Sequence, residues 1–274
     1  NGYEITYLKV DEYGLISLEE LEKSIKEDTI LIAIMQVNNE VGSIQPIWEV
    51  KKILKEKKSN AILHVDGVQA FGKVPIEIKK WGIDTFSFSG HKIHGPKGIG
   101  GLYINKDISL EPIVFGGNQE RGLRSGTENV PGIMGLGKAV EIIDKNFYKN
   151  FEKVKKIKAY FIDRITNEIP HIHINSPIDE KHSPYVLNVS FEYVRGEVLL
   201  HYLEDENIYV STASACSSKG VQKSHVLKEL GLTDLQMEGA IRFCFSYKNT
   251  IEEIDYTMEV LKASIEEIRE ITMR

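Results

Sequence analysis

The chain has 274 residues, of which 42% are hydrophobic and 27% charged, and its formal net charge is -6. This composition is typical of a soluble globular protein, and the length is enough for one large core or for a large and a smaller domain. The negative charge argues against a general affinity for nucleic acids and anionic membranes, and no apolar run is long enough to cross a bilayer. The two cysteines, Cys216 and Cys244, are too few for a disulfide framework, lack metal-ligand spacing and fit a reducing cytoplasm.

The first half of the sequence alternates predicted strands with predicted helices. Residues 3–10 form the first predicted strand, and Ser17 with Glu20 makes a capping box that predicts a short helix ending near Ile25. The further elements of this half are predicted strands at residues 29–37, 61–65, 83–88 and 99–104 and an amphipathic helix at residues 47–58. Because the middle strands are almost wholly apolar, we expect them to be parallel and buried on both faces.

A long helix is predicted to connect this half to a second domain. The helix covers residues 130–168 and is expected to break or bend near Asn146, so we predict domains at residues 1–145 and 146–274. The elements that follow are predicted strands at residues 186–191, 208–210 and 240–245 and helices at residues 197–203 and 225–230. Thr250 and Glu253 form the capping box of a last helix, which ends near Ile271. This order of elements predicts an α/β fold.

Polar residues follow the predicted parallel strands at their carboxyl ends, where open α/β sheets bind ligands. Because these ends meet at one edge of a sheet, we expect residues that are far apart in sequence to form one site. The polar residues concerned are Asn39, Asp66, Gln69, Ser89, His91 and Lys92.

Lys92 lies in a Gly/Pro-rich turn directly after a predicted strand. A partly desolvated lysine amine near other cations has a lowered pKa and can attack a carbonyl to form a Schiff base. Lys97 in the same turn is the alternative amine, and a solvated lysine without chemistry is the other alternative. Asp66 at the end of a buried strand suits the protonated pyridine nitrogen of pyridoxal phosphate (PLP), although a helix N-cap is also possible.

Six motifs resemble those of cysteine desulfurases of the NifS/IscS type, which are class V aminotransferases with the PLP-dependent fold type I. The motifs occur in the family's order and are Asn38-Asn39-Glu40, His64-Val65-Asp66 with Gln69, Ser89-Gly90-His91-Lys92, Arg124-Ser125-Gly126-Thr127, Ser214-Ala215-Cys216 and Ile241-Arg242-Phe243. The resemblance implies a large PLP-binding domain with a mostly parallel sheet and a smaller α+β C-terminal domain. It also implies phosphate-binding residues and a ring-stacking histidine upstream of Asn1, without which we expect weak PLP binding and little activity.

The resemblance assigns roles to the residues around the cofactor. Lys92 would hold PLP as a Schiff base and move protons, with His91 acting beside it. Asp66 would pair with the ring nitrogen, and Gln69 would contact the phenolic oxygen. Ser89 and His91 would bind the phosphate or lie beside the ring.

The resemblance also implies residues for the substrate and for a second subunit. Asn39 would lie near the phenolic oxygen or the substrate carboxylate, which Arg242 would hold by a bidentate contact. Thr127 resembles the residue that reaches the phosphate from a second subunit, which implies a homodimer. The alternatives are a turn-forming asparagine, an outward-facing strand arginine and an ordinary loop before a helix.

Cys216 lies in a segment of small residues and is the implied nucleophile, whose thiolate would take the sulfur of L-cysteine as a persulfide and leave alanine. The sulfur would pass to an iron-sulfur scaffold or a tRNA-thiolation partner in the cytoplasm. Cys244 follows a strand pattern and is predicted to be structural, and no metal site is predicted. The alternatives are a selenocysteine lyase, another PLP lyase, or an inactive fragment that only binds a partner.

Overall fold

The computed structural model describes residues 2–212 and 224–273, which belong to two compact units. One unit, called the central unit, comprises Ile25–Gln36 and Pro46–Phe147. The other, called the terminal unit, comprises Asn1–Ser24, Val37–Gln45 and Tyr148–Arg274. The chain leaves the central unit for the last time after Phe147, and two segments before that point also belong to the terminal unit. A division into domains at residues 1–145 and 146–274 remains a prediction.

Four strands form the sheet of the central unit: β1 (Leu31–Met35), β2 (Ile62–Asp66), β3 (Thr85–Ser89) and β4 (Gly100–Ile104). They lie side by side in that order, with β1, β2 and β3 parallel and β4 antiparallel to β3. Leu63 and Val65 of β2 are fully buried, but the residues that alternate with them are half-buried, and Leu31 of β1 is 53% exposed. The expectation that the middle strands are buried on both faces is therefore wrong, because burial alternates along β1 and β2 and covers one face. The predicted α/β fold with a mostly parallel sheet is confirmed.

The helices follow the apolar spacing and the capping signals of the sequence. In chain order they are α1 (Leu18–Ser24), α2 (Ile47–Glu56), α3 (Ile78–Trp81), α4 (Val130–Glu168), α5 (Gly196–Asp205), α6 (His225–Glu229), α7 (Asp234–Glu238) and α8 (Ile251–Thr272). The Ser17 hydroxyl accepts a hydrogen bond from the Glu20 amide at 3.2 Å, and Thr250 with Glu253 forms a complete capping box. The predicted starts of α1 and α8 are therefore confirmed.

Helix α4 is one continuous helix of 39 residues, so of the predicted break or bend near Asn146 the break is wrong and the bend stays a prediction. The Asn146 side chain stays compatible with the helix because its Nδ2 donates to the Ile142 carbonyl, four residues earlier, at 3.1 Å. In the central unit, Ala139 and Ile143 of α4 pack with Ile93, which lies just after β3. This packing fixes the turn that carries Lys92.

The terminal unit contains an antiparallel sheet of four strands, β5 (Ile172–Ile174), β6 (Val186–Phe191), β7 (Ser211–Thr212) and β8 (Ala240–Cys244), in the order β5-β6-β8-β7. Its core lies between this sheet and the helices. The Phe161 ring of α4 contacts Phe243 edge-on with ring centroids 4.9 Å apart, and Phe191 lies 6.4 Å from Phe243. The predicted strand at residues 186–191 has the bounds that the structure shows.

Two predicted strands differ from the structure. Residues 3–10 form no strand, because within the described part of the chain only Val10 makes a bridge, to Ile16, and a strand needs a partner. Tyr3 and Tyr7 are accordingly exposed. The strand predicted at residues 208–210 begins later, at Ser211, where pairing with Arg242 of β8 begins. Among the described helices, none is both long and apolar enough to cross a membrane.

Candidate active site

The ends of β2 and β3 bring polar residues together at one edge of the central sheet. Asp66 is the last residue of β2 and Ser89 the last of β3, and the two strands are parallel with Asp66 opposite Ser87. His64 lies two residues before Asp66 on the same face, and its Nδ1 lies 2.8 Å from the Thr85 hydroxyl of β3. The predicted meeting of strand ends is therefore seen for Asp66 and Ser89. Asn39 belongs to the terminal unit, so its place beside them stays a prediction.

The turn after Asp66 is fixed by the aspartate itself and by a glycine. One Asp66 carboxylate oxygen accepts a hydrogen bond from the Val68 amide at 2.9 Å. A Cβ atom at Gly67 would lie 1.8 Å from the Phe86 ring, so only glycine fits there. Gln69 follows in the same turn and is half-buried, with its Oε1 accepting from Lys73 Nζ at 3.0 Å.

Lys92 lies in a 3₁₀ turn, Gly90–Ile93, that starts where β3 ends. Its side chain is half-buried, whereas Lys97 is exposed. Within residues 2–212 and 224–273, the Lys92 amine makes no hydrogen bond or ion pair, so it is available to a ligand. The Ser89 hydroxyl and His91 Nδ1 are 2.7 Å apart, which orients the imidazole beside the strand end.

Thr127 lies in an exposed loop of the central unit. The Gly126 amide donates to Gln119 Oε1 at 3.0 Å, and the Ser125 amide donates to the Val114 carbonyl at 3.1 Å. These bonds hold the loop, but they do not connect Thr127 to Asp66 or Lys92. Its contact with a phosphate stays a prediction.

Asn39 and Arg242 meet in the terminal unit, although they are about two hundred residues apart in sequence. The Asn38 side chain accepts hydrogen bonds from the Glu40 and Val41 amides at 2.8 and 3.0 Å, which forms a tight turn. Arg242 NH1 donates to the Asn39 carbonyl at 3.1 Å. This contact fixes the guanidinium relative to the turn.

The Nε atom of Arg242 is buried and has no hydrogen-bond partner among the described residues. A buried unsatisfied N–H on a guanidinium is costly, and a carboxylate can take it up in a bidentate contact. β8 lies between β6 and β7, so the backbone that carries Arg242 is held on both sides. The geometry suits a small carboxylate ligand.

The sequence profile of the aminotransferase class-V family matches residues 1–257. The chain belongs to this family. A relative from Dictyoglomus turgidum named cysteine desulfurase IscS is 42% identical over 271 residues, which cover 99% of this chain and 68% of the relative. A relative of the same name from Methanosarcina thermophila is 44% identical and is covered over 66% of its length. The chain thus spans about two thirds of the length of these class-V relatives.

Solved structures of class-V relatives confirm the predicted fold type. A NifS-like protein superposes with a TM-score of 0.89 at 41% identity, covering 97% of this chain and 69% of that one. A NifS-like protein from Rickettsia africae superposes with a TM-score of 0.85 at 31% identity, covering 94% of this chain and 69% of that one. Enzymes of this family are PLP-dependent, as predicted from the sequence.

The donor set of the central unit fits the PLP of a class-V enzyme. The half-buried Asp66 carboxylate suits the ring nitrogen, and the unengaged Lys92 amine suits the aldehyde. The Ser89 hydroxyl and the His91 imidazole, held against each other, suit the phosphate. The contrast in burial between Lys92 and Lys97 favours Lys92 as the amine.

The predicted nucleophile of this class-V chain, Cys216, lies outside the described residues. Cys244 ends β8, so its prediction as a strand residue is met, but its side chain is exposed. The exposure follows from the alternation along β8, where Ile241 and Phe243 point into the core. The strand position of Cys244 is therefore confirmed, and its structural role stays a prediction.

Sequence reasoning missed a polar network behind Arg242 in the class-V chain. Asn188 lies opposite Arg242 on β6 and donates from Nδ2 to the Glu40 carbonyl at 3.3 Å. Asn175 Nδ2 in turn donates to Asn188 Oδ1 at 2.7 Å and to Ser190 Oγ at 2.8 Å. Asn188 and Ser190 alternate with apolar residues in β6, and this period of two was the available signal.

Proposed function

We propose that this protein is a PLP-dependent cysteine desulfurase, which converts L-cysteine to L-alanine and keeps the sulfur as a persulfide on Cys216. The observation that carries the proposal is the position of Asp66 and the half-buried Lys92 at adjacent strand ends of one parallel sheet. The relatives named cysteine desulfurase IscS, at 42% and 44% identity over almost the whole chain, support it.

The central unit provides the groups for the cofactor. PLP, when bound, supplies an electron sink for negative charge that develops on the substrate carbons. Asp66 would keep the ring nitrogen protonated, and Gln69 would donate towards the phenolic oxygen. Ser89 and His91 would hold the phosphate, and the Lys92 amine would hold the aldehyde.

The chain's own residues divide the remaining chemistry between binding, proton transfer and sulfur transfer. Arg242 and Asn39 bind and orient the substrate carboxylate. Lys92, assisted by His91, takes a proton from the substrate and returns protons later. The Cys216 thiolate attacks the substrate sulfur, so that a sulfur–sulfur bond forms as the carbon–sulfur bond breaks. The carbon keeps the electron pair of the broken bond and takes up a proton, which yields alanine.

The partners follow from the chemistry and from exposed apolar surface. The persulfide requires a thiol or scaffold acceptor, for which an iron-sulfur scaffold or a tRNA-thiolation protein in the reducing cytoplasm is suitable. Ile113 is 92% exposed and Phe115 77% exposed, in the part of the central unit that also carries Thr127. Such exposed apolar residues favour a homodimer in which Thr127 reaches the phosphate of the other subunit.

The test compares the two cysteines in PLP-loaded protein. Cys216→Ser should keep the cofactor absorbance and lose alanine release from L-cysteine and persulfide labelling, because a hydroxyl cannot accept the sulfur. Cys244→Ser is the matched control, since Cys244 is an exposed thiol, and it should keep both. Persulfide found on Cys244 alone, or alanine release that survives in Cys216→Ser, would contradict the proposal. Release of selenide but not sulfide would favour a selenocysteine lyase.

A further inference from the structure

Lys158 is a buried lysine that the proposed chemistry does not use. It lies on α4 in the terminal unit and is only 3% exposed. Its Nζ donates to the carbonyls of Ser183, at 3.2 Å, and Val186, at 2.5 Å, and it contacts Nε2 of His182. These three acceptors match the three N–H groups of an ammonium, which offsets the cost of removing it from water.

The protonation of the neighbouring imidazole agrees with this geometry. His182 Nδ1 donates to the Asp179 carbonyl at 2.7 Å, which leaves Nε2 as the acceptor for Lys158. Burial, together with the nearby Lys158, lowers the pKa of His182 to about 4, so the ring is neutral near pH 7. Lys158 therefore keeps all three acceptors at physiological pH, where burial lowers its pKa to about 7 and leaves the amine partly protonated.

The segment that Lys158 holds is paired with a second segment of the terminal unit. The Ser183 amide donates to the Gly42 carbonyl at 2.8 Å, and the Ile44 amide donates to the Lys181 carbonyl at 2.8 Å. Ser43 and His182 form the bridge between these two bonds. The loop from Lys181 to Ser183 thus clamps residues 42–44.

Residues 42–44 are the base of the turn that carries Asn39. The Asn38 amide donates to the Ser43 carbonyl at 2.9 Å, and the Gly42 amide donates to the Asn38 carbonyl at 3.0 Å. The Asn39 carbonyl at the top of this turn accepts the hydrogen bond from Arg242 NH1. A continuous series of contacts therefore runs from Lys158 through residues 181–183 and the turn to Arg242.

We propose that Lys158 is a positioning residue for the substrate carboxylate, because it fixes the turn of residues 38–44 that orients Arg242. The inference rests on the proposed function, in which Arg242 binds that carboxylate. Among the described residues, the hydrogen bonds of Lys158 go to His182, Ser183 and Val186 and not to Arg242. Its loss should therefore weaken substrate binding and leave the chemical step nearly intact.

Arg269 offers a matched control for a purely structural role. It is also a buried cation of the terminal unit, 8% exposed, and it donates from α8 to the carbonyls of Pro170, His171 and Glu192. Within the described part of the chain, Arg269 does not hold the loop that pairs with the Asn39 turn, in which Ser183 bonds to Gly42 and Lys181 bonds to Ile44. Both cations stabilise irregular backbone, but only Lys158 is connected to the Asn39 turn.

The kinetic experiment compares Lys158→Met with Arg269→Met in the PLP-loaded protein. Lys158→Met should raise the KM for L-cysteine about tenfold and change kcat by less than about threefold. The reason is that the carboxylate contact binds the substrate and the transition state equally, so its loss weakens both alike. Arg269→Met should leave KM unchanged, although both variants should lower the unfolding temperature. Lys158→Gln, which keeps two N–H donors, should give an intermediate KM and serves if the methionine variant does not fold. An unchanged KM in the folded Lys158 variants would overturn the inference.

A second readout requires no cofactor. In Lys158→Met, hydrogen exchange at the amides of Gly42, Ile44 and Ser183 should be faster, whereas Arg269→Met should leave these amides protected. Unchanged exchange at these amides in Lys158→Met would also overturn the inference. Arg242→Lys, assayed in parallel, separates the two proposals. A normal KM in Arg242→Lys would contradict the proposed role of Arg242. A raised KM in Arg242→Lys together with a normal KM in Lys158→Met would reject the role of Lys158 and leave that of Arg242 standing.

Discussion

Lys92 and Lys97 are five residues apart in the segment that follows β3, and the surroundings of their amines differ. Ile93 is 2% exposed and anchors the turn of Lys92 against α4, whereas Lys97 projects from an exposed Gly/Pro-rich stretch. A fixed, half-buried amine is preorganised to react with an aldehyde, and a solvated one is not.

We predict that Lys92→Ala abolishes the absorbance band of bound PLP and that Lys97→Ala keeps it. Both variants remove one lysine from the segment that follows β3, so Lys97→Ala controls for the loss of a positive charge. Absorbance spectra during PLP titration provide the measurement. A band that persists in Lys92→Ala and disappears in Lys97→Ala would transfer the role to Lys97.

Lys158 should also make the stability of the folded protein depend measurably on pH. Burial lowers its pKa from 10.5 to about 7 in the folded protein. Between these two values the unfolded chain binds one more proton than the folded one, so stability rises with pH from about 7 to about 10.5. The stability that the folded protein gains from the neutral amine is complete above the unfolded pKa and is lost as the pH falls through the folded pKa.

The expected slope is up to about a tenfold change in the unfolding equilibrium constant per pH unit within that window. Lys158→Met should lack this slope, and Lys156→Met, which removes an exposed lysine of the same helix, should retain it. Chemical denaturation at several pH values between 7 and 10 measures the difference. Parallel pH profiles for wild type and Lys158→Met would show that the pKa is not lowered in the folded protein.

At the scale of single elements, local signals predicted most of what the structure shows. The strand at residues 186–191 was predictable because residues with a high strand propensity, Val186, Val189 and Phe191, occur along it, and the structure buries all six of its residues. The start of α8 was predictable because Thr250 and Glu253 satisfy each other's backbone groups within one turn. Thr233 and Gln236 form the same capping box before α7, so that helix was also within reach of the sequence.

Other elements depend on partners that a local pattern does not reveal. The alternation in residues 3–10 resembles a strand, but the backbone forms one only where a neighbouring strand supplies hydrogen bonds. Lys158 lies four residues after the buried Val154 and three before the buried Phe161, which places it on the inner face of α4. The neighbouring lysines obscure this spacing, and two of the three acceptors of Lys158 are backbone carbonyls, whose position no residue type indicates.

At the scale of the whole molecule, the candidate site could be predicted only in part. Asp66, Ser89 and Lys92 were predictable as neighbours because the carboxyl ends of parallel strands share an edge. The contact between Asn39 and Arg242 arises because Val37–Gln45 belongs to the terminal unit, although it lies between two segments of the central unit. No spacing in the sequence indicates this return of the chain. The strand-end rule pointed to Asn39 as a site residue. Family resemblance alone pointed to Arg242 and to the substrate carboxylate as their shared ligand.

Large apolar side chains are exposed on the central unit near Thr127 in sequence, and they lead to a prediction about dimer formation. In the central unit, Ile113 and Phe115 are 92% and 77% exposed, and Met134 is 69% exposed, which is unusual for large apolar side chains. Thr127 is exposed in the loop between them in sequence. If a second copy of the chain covers this surface, dimer formation and PLP binding should be coupled, since Thr127 would complete the phosphate site of the other subunit.

Phe115→Asp should therefore increase the fraction of monomer in sedimentation experiments and weaken PLP binding in the same concentration range. Ile178→Asp is the control, because Ile178 is 69% exposed but lies in the terminal unit. That substitution should change neither quantity. Thr127→Ala should weaken PLP binding while the protein remains a dimer, which separates the phosphate contact from assembly. A wild-type protein that is monomeric at micromolar concentration and binds PLP fully would contradict the coupling, because the site would then be complete within one chain.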